Sequence, residues 1–241
     1  MKNWFDSWFD TKYYHILYKD RDYSEAENFI SNLTSDLNIE SNRSILDLAC
    51  GKGRHSIYLN KLGYTTTGAD LSKQSIEHAS QFKTDTLDFF VHDMREKIKD
   101  KSFDYVFNLF TSIGYFEDES DNLKMLNSID SYTNENGVLV IDFMNAHKVI
   151  AELVMDEVKV IDGITFTINR KVENGFIIKT ISFMDNNEEY TFQEKVQALQ
   201  LHHFQDYLKE TNFSIYKVVG DYNLGNFDVE KSNRLIIFAK K

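Results

Sequence analysis

Four residues set out the chemistry most plainly: Asp47, Gly51, Gly53 and Asp70. Gly51 and Gly53 form a tight turn where the backbone can approach a ligand with no side chain between. Asp70 follows Gly51 by 19 positions, close to the roughly 20 that separate a glycine turn from the carboxylate that accepts from a ribose hydroxyl pair. The dinucleotide fingerprint Gly-x-Gly-x-x-Gly is incomplete, because Ser56 stands in the third glycine's place. A phosphate-binding P-loop is excluded, since no Gly-Lys-Ser/Thr follows at the required spacing.

These residues need a strand before the turn and a helix after it. Ile45, Leu46, Leu48 and Ala49 make a short apolar run, and Ile57, Leu59 and Leu62 resume it at helical spacing. The spacing predicts a helix over 54–62 with Gly63 at its C-terminal end, then a strand over 64–68 running out at Asp70. Ser72 caps a helix through residue 82, a third strand at 87–91 ends in His92, Asp93, Met94 and Arg95, and a fourth strand spans 103–110. A helix over 119–132, a turn at 134–137 and a fifth strand at 138–143 follow. Strands separated by helices predict a doubly wound parallel sheet with ligands at the carboxyl ends of its strands, where Asp47 to Gly53, Asp70, Asp93 and Asn108 all fall.

The pattern then changes. Segments 158–161, 164–171, 176–183 and 191–201 are β-rich and separated by Asp162-Gly163, Asn174-Gly175 and Asn186-Asn187, all hairpin signals. Ile164, Phe166 and Ile168 alternate with Thr165, Thr167 and Asn169, so one face of this antiparallel insertion is expected to be covered. A last helix at 204–211 and strands at 213–219 and 234–239 close the sheet.

Residues 3–23 hold eight aromatics, among them Trp4, Trp8, Phe5, Phe9, Tyr13, Tyr14, Tyr18 and Tyr23. Their i, i+4 pairs (Trp4 with Trp8, Phe5 with Phe9, Tyr14 with Tyr18) suggest a helix docked by its aromatic face or serving as a lid. A second helix over 24–37 carries a capping-box pattern, Ser24 with Glu27.

Composition bounds the partners. The 241 residues, 42% of them hydrophobic, suffice for one domain with an insertion. A formal charge of −11 argues against nucleic acid, whose phosphates need clustered Lys and Arg. Cys50 is the single cysteine, so there is no internal disulfide. The opening Met-Lys-Asn-Trp-Phe-Asp lacks a leader's apolar region and no apolar run approaches the roughly 20 residues of a membrane span. A cytoplasmic protein without a membrane partner is expected.

The segment Asp47-Leu-Ala-Cys-Gly51-Lys-Gly53, together with Asp70, Asp93 and Asn108, resembles the class I S-adenosylmethionine-dependent methyltransferases. Leu-Asp-Leu-Ala-Cys-Gly-Lys-Gly-Arg-His and Phe-Thr-Ser-Ile-Gly-Tyr-Phe look like a bacterial small-molecule subgroup of it. The resemblance covers about residues 40–145 and 204–241. It implies an α/β fold, a doubly wound seven-stranded Rossmann-like sheet that is mostly parallel with an antiparallel last strand, plus the small antiparallel insertion. As domains it implies one methyltransferase unit over 1–241: an N-terminal helical lid (1–39), a core (40–153 and 202–241) and the insertion (154–201).

It also implies roles. S-adenosyl-L-methionine would be the methyl donor and S-adenosyl-L-homocysteine the product. Ala49, Cys50, Gly51 and Gly53 would pack on the methionine moiety, with Asp47 holding its amino group. Asp70, with Leu71 beside it, would accept from the ribose hydroxyls. Asp93 would read the adenine amino group, with Met94 beside the ring. The backbone at Asn108 and Leu109 would flank the amino acid portion, and Tyr13 would cover the cofactor. Direct displacement at a sulfonium needs no protein nucleophile, yet an acceptor that must lose a proton would draw on a base. His202, His203 and Tyr115 are the groups placed to supply or orient one, and packed or helix-edge roles are the plainer reading of all three. Cys50 and the Arg54-His55 pair are read as packed or solvated. Two alternatives remain open at this point: a nicotinamide-dependent dehydrogenase, and a non-catalytic nucleoside-binding module of the same fold. The acceptor is a small molecule of unspecified identity, and an exposed face of the insertion is suited to pairing two chains as a homodimer.

Overall fold

A computed structural model of the chain describes residues 8–19 and 23–241. Strands β1 (Ser44–Leu48), β2 (Thr65–Asp70), β3 (Leu87–Val91), β4 (Phe103–Asn108), β5 (Thr133–Met144), β10 (Ser214–Val219) and β11 (Arg234–Lys240) form one sheet in the order β10-β11-β5-β4-β1-β2-β3. The central pairs are parallel, and β11 runs antiparallel to both neighbours. This is the expected seven-stranded architecture.

The central strands are apolar on both faces because helices cover both. Leu46, Val106, Leu139 and Ile237 point to one layer, built on α5 (Glu119–Tyr132) and α7 (Leu201–Lys209). Their neighbours Ile45, Phe107, Val140 and Ile236 point to the other, with Phe29, Ile30 and Leu33 of α2 (Tyr23–Asp36) and Leu59 of α3 (Arg54–Lys61). Helix α4 (Lys73–Ala79) is capped by Ser72, whose Oγ accepts from the Ser75 N–H at 3.0 Å.

The insertion is a separate four-stranded antiparallel sheet: β6 (Asp156–Ile161), β7 (Ile164–Glu173), β8 (Phe176–Asp185) and β9 (Glu188–Gln197). One face is covered, as the alternation predicts. Phe166, Ile168, Ile181 and Phe183 meet Trp8, Tyr13 and Leu17, the last two from α1 (Lys12–Leu17). Polar latches reinforce this docking: Trp8 Nε1 donates to Glu194 at 2.8 Å, and Tyr18 Oη donates to the same carboxylate at 2.7 Å.

Several boundaries move. Helix α2 starts at Tyr23, so Ser24 lies inside it and is not its cap. The expected turn at 134–137 is a bulge within one continuous β5, where the pairing with β4 jumps from Thr133 to Val138 and Asn136 turns left-handed. Helix α7 begins at Leu201 rather than 204, because Gln200 and His203 form a reciprocal cap ahead of the apolar periodicity. A short helix, α6 (Ala146–Ala151), was absent from the pattern. Tyr14 and Tyr18 do pair, with ring centroids 4.9 Å apart. Trp4, Phe5 and their expected pairs lie outside the described residues, as does the Tyr23 side chain. No helix among the described residues is long and apolar enough to cross a membrane.

Candidate active site

The turn between β1 and α3 is left-handed at three places: Ala49 (φ 63°), Gly51 (54°) and Gly53 (81°). The two glycines serve different ends. A Cβ on Gly51 would meet nothing within 4 Å, so the turn faces open space there. A Cβ on Gly53 would stand 2.7 Å from the Phe89 ring, and one on Gly68 2.5 Å from the same ring. Phe89 of β3 thus lies across both glycines and fixes the turn against the sheet. Gly53→Ala is expected to cost about 3 kcal/mol of stability in urea denaturation, combining left-handed strain with overpacking. Gly51→Ala is expected to cost only about 1 kcal/mol there, its damage falling on ligand binding.

Two carboxylates flank the turn. Asp70, at the end of β2, accepts from the Gly51 N–H and the Ser72 N–H, each at 2.8 Å. Both its oxygens are therefore oriented by backbone, and each keeps a further lone pair. Burial raises its carboxyl above the ordinary value, the two backbone bonds oppose that, and the Asp10 carboxylate adds to the rise. Asp47 is buried and accepts from Ser56 Oγ at 2.6 Å. Serine in the third glycine's place is thus the donor that holds Asp47. Burial pushes this carboxyl up to about 6 despite that bond. Burial also pushes the Cys50 thiol well up, and its Sγ lies 3.6 Å from the Gly51 carbonyl, in keeping with a packed residue.

The next two strand ends complete the rim. Asp93 is gripped by Arg95, whose Nη2 donates at 2.6 Å and whose Nη1 reaches Asp121 at 2.8 Å. Burial works to raise the Asp93 carboxyl, and Arg95 holds it below its ordinary value. Met94 packs on the main core, and Leu71 is exposed. Asn108 is fully buried; its Nδ2 donates to the Leu48 carbonyl at 3.0 Å and its Oδ1 has no partner. Leu109 turns its side chain into the α2 layer, so only its backbone faces the rim.

Beyond Leu109 the backbone is left-handed at Phe110 (φ 67°) and Thr111 (62°). Asp142 of β5 holds this loop. It accepts from the Phe110 N–H at 2.9 Å, from Arg234 Nε at 2.7 Å and from Tyr222 Oη at 3.1 Å, while its carbonyl accepts from the Thr111 N–H at 2.9 Å. Arg234 Nη2 also donates to Thr111 Oγ1 at 3.1 Å. Beside them His55 is buried, and burial, then the Arg54 charge, bring its imidazole down to about 3, so it is neutral at ordinary pH.

The remaining expected residues sit apart from the turn. Tyr13 packs between Phe183 and Tyr190, and its Oη donates to Asp185 at 2.8 Å. The segment before it does reach the rim: Asp10 accepts from Ser72 Oγ, and the Phe9 ring lies 5.7 Å from that of Tyr115. His203 Nδ1 accepts from the Gln200 N–H at 3.0 Å as a helix cap, and His202 stacks on it at 3.9 Å. No hydrogen bond or ring contact joins either imidazole to the glycine turn.

Asp142, Arg234, Tyr222, Phe89 and Gly68 carry no motif, and of these only Gly68, a glycine inside a strand, gave a signal of close approach.

Comparison with known proteins gives a consistent picture. A family model described as a methyltransferase domain matches residues 39–206. The candidate methyltransferase YqeM of Bacillus subtilis is 29% identical over 211 residues, covering 82% of this chain and 83% of that one. A dTDP-3-amino-3,4,6-trideoxy-alpha-D-glucopyranose N,N-dimethyltransferase of Streptomyces venezuelae is 28% identical over 131 residues, 54% of each chain. Among solved structures, an S-adenosylmethionine-dependent methyltransferase from Clostridium acetobutylicum superposes with a TM-score of 0.79 over 95% of both chains at 21% identity, a likeness of fold.

Proposed function

The chain belongs to the methyltransferase domain family, and on that premise we propose that it transfers a methyl group from S-adenosylmethionine to a nitrogen or oxygen of a small-molecule acceptor by in-line displacement. The observation that carries this reading is the Asp70 carboxylate, aimed by the Gly51 and Ser72 N–H groups beside the open backbone of Gly51. A hydroxyl pair fits its spare lone pairs. The donor's amino group fits the buried Asp47, and the partnerless Oδ1 of Asn108 is a second acceptor at the same edge. Bound there, the sulfonium supplies an electrophilic methyl that needs no protein nucleophile.

The chain's own part is to orient and to dry the site. Asp47 and Asp70 fix the two polar ends, and the Asn108 to Phe110 backbone walls the middle. Phe9 and Asp10 of the N-terminal segment close the rim, Phe9 against Tyr115 of the loop beyond β4. Exclusion of water strengthens each of these polar contacts. Asp93 contributes through its Arg95-bound carboxylate, on which an adenine amino group has spare lone pairs to use. The Streptomyces venezuelae relative is named for methylating an amino sugar's nitrogen, which favours an amine as acceptor here.

Isothermal titration calorimetry with S-adenosylhomocysteine tests the reading: one site per chain is expected, and no heat at any concentration overturns it. The titration should also depend on pH. Asp47 holds an ammonium only as a carboxylate, and its carboxyl loses its proton near pH 6. Affinity is therefore expected to fall about tenfold per pH unit below that point and to be level above it. The sign for folding is opposite. With its pKa raised from 3.8 to about 6, Asp47 in the unliganded chain holds a proton that the unfolded chain has released. Its contribution to stability is thus lost as pH rises through that window.

A further inference from the structure

Where β5 ends and β11 begins, a cavity of about 290 Å³ opens beside the first turn of α7. Leu199 and Leu235 give it a buried apolar floor. Phe227 and Val229, from the loop that joins β10 to β11, and the exposed His202 and Gln205 of α7 form its sides. The glycine turn, Asp70, Asp93 and Asn108 take no part in it.

Asn145 is the deeply buried polar side chain on this lining, 3% exposed. Its Nδ2 donates to two carbonyls, that of Val229 at 2.7 Å and that of Ser232 at 2.8 Å. Only the NH₂ end of the amide can meet two carbonyls, so its orientation is fixed and both donors are used. What Asn145 has left for the cavity is Oδ1. Although Asn145 precedes α6, its side chain does not cap that helix, and among the described residues Oδ1 accepts no hydrogen bond.

We propose that this cavity binds a neutral hydroxyaromatic molecule, whose hydroxyl donates to Asn145 Oδ1 and whose ring packs on Leu199, Leu235 and Phe227. The lining selects this chemistry by exclusion at both extremes. It holds no Lys, Arg, Asp or Glu, so a carboxylate, phosphate or ammonium would be buried without a counter-charge. A purely apolar occupant would instead shut Oδ1 away from water with nothing to accept from. One donor on an apolar body meets both conditions. A flat ring suits the walls because Phe227 offers it an aromatic partner, and a cavity at the small end of ligand sites takes one ring or a fused pair. The site stands apart from methyl transfer and does not depend on it.

Phenol is the probe, titrated into the full chain and followed by two-dimensional amide NMR. Saturable shifts are expected at the Asn145 side chain, Ala146 and Leu235, with a dissociation constant on the order of 1 mM for so small a ligand. Anisole keeps the ring and loses the donor, and is expected to bind about tenfold more weakly. Val229→Trp and Gln205→Trp each place an indole at the mouth from an exposed position, and each should weaken phenol at least about tenfold by filling the space. Thermal denaturation unchanged from wild type shows that both variants fold. No saturable shift at the three residues overturns the proposal. So does anisole binding as tightly as phenol, or a phenol affinity indifferent to both tryptophans. S-adenosylhomocysteine, titrated separately, should shift Gly51 and Gly53 instead; its failure to bind overturns the methyl-transfer reading and leaves this site standing.

Discussion

Asp70→Ala is expected to raise the dissociation constant for S-adenosylhomocysteine at least about 100-fold. Each hydrogen bond to a charged acceptor contributes about 1.5–3 kcal/mol, and two are lost with the carboxylate. The same side chain also ties the Gly51 N–H to the sheet at 2.8 Å, so some loss of folding stability accompanies the change, about 1–3 kcal/mol as a buried donor goes unpaired. Asp70→Asn keeps half of each contribution. Its single carbonyl oxygen keeps one backbone bond and presents one acceptor rather than two, while its amide nitrogen leaves the other N–H unpaired, so binding should weaken about tenfold with a stability loss of about 1–2 kcal/mol. Calorimetry at pH 8 keeps Asp47 ionised in wild type and variants alike. Wild-type affinity in Asp70→Ala, in a chain still folded by thermal denaturation, would remove the carboxylate from the site.

The parts of this site legible in the sequence are those whose partners are close along the chain. The glycine turn and Asp70 are 19 residues apart, held by one strand-helix-strand unit of standard length. The central strands were legible because they are apolar on both faces, as Ile45 and Leu46 are. Contacts bridging long separations left no such trace. Asp142 reaches Phe110 across 32 residues and Arg234 across 92. In the sequence Asp142 is merely a charge within the apolar run of β5. Its burial is paid for by partners that no periodicity announces. Ala49, too, takes the left-handed turn position at which glycine is the usual marker. Tyr13 shows the converse: the expected cover over the cofactor is fastened to Asp185 on the insertion, while Asp10 and Phe9, its neighbours, reach the rim. Helix caps such as Gln200 with His203 shift a boundary because a short side-chain bond overrides the apolar period.

The same long-range cluster supplies the largest expected loss of stability. Asp142 is 0% exposed and pairs with the mostly buried Arg234. Removing one member of a buried pair strands the other's charge, at about 3–5 kcal/mol. Asp142→Ala also frees the Phe110 N–H, whose left-handed backbone then loses its anchor, so about 4 kcal/mol or more in urea denaturation is expected. Arg234→Met alone should cost about 3 kcal/mol, because the carboxylate keeps the Phe110 N–H and Tyr222 hydroxyl as donors. The double variant should cost little more than Asp142→Ala, a coupling of about 2 kcal/mol or more, since no charge is left buried and unpaired. Strict additivity would mean that the pair does not act as a unit. Binding reports on the loop: Asn108 to Phe110 is set by this anchor, so S-adenosylhomocysteine affinity should fall in Asp142→Ala and recover only in part in the double variant. The ion pair can be replaced by apolar packing, whereas the hydrogen bond that Asp142 accepts from the Phe110 N–H cannot.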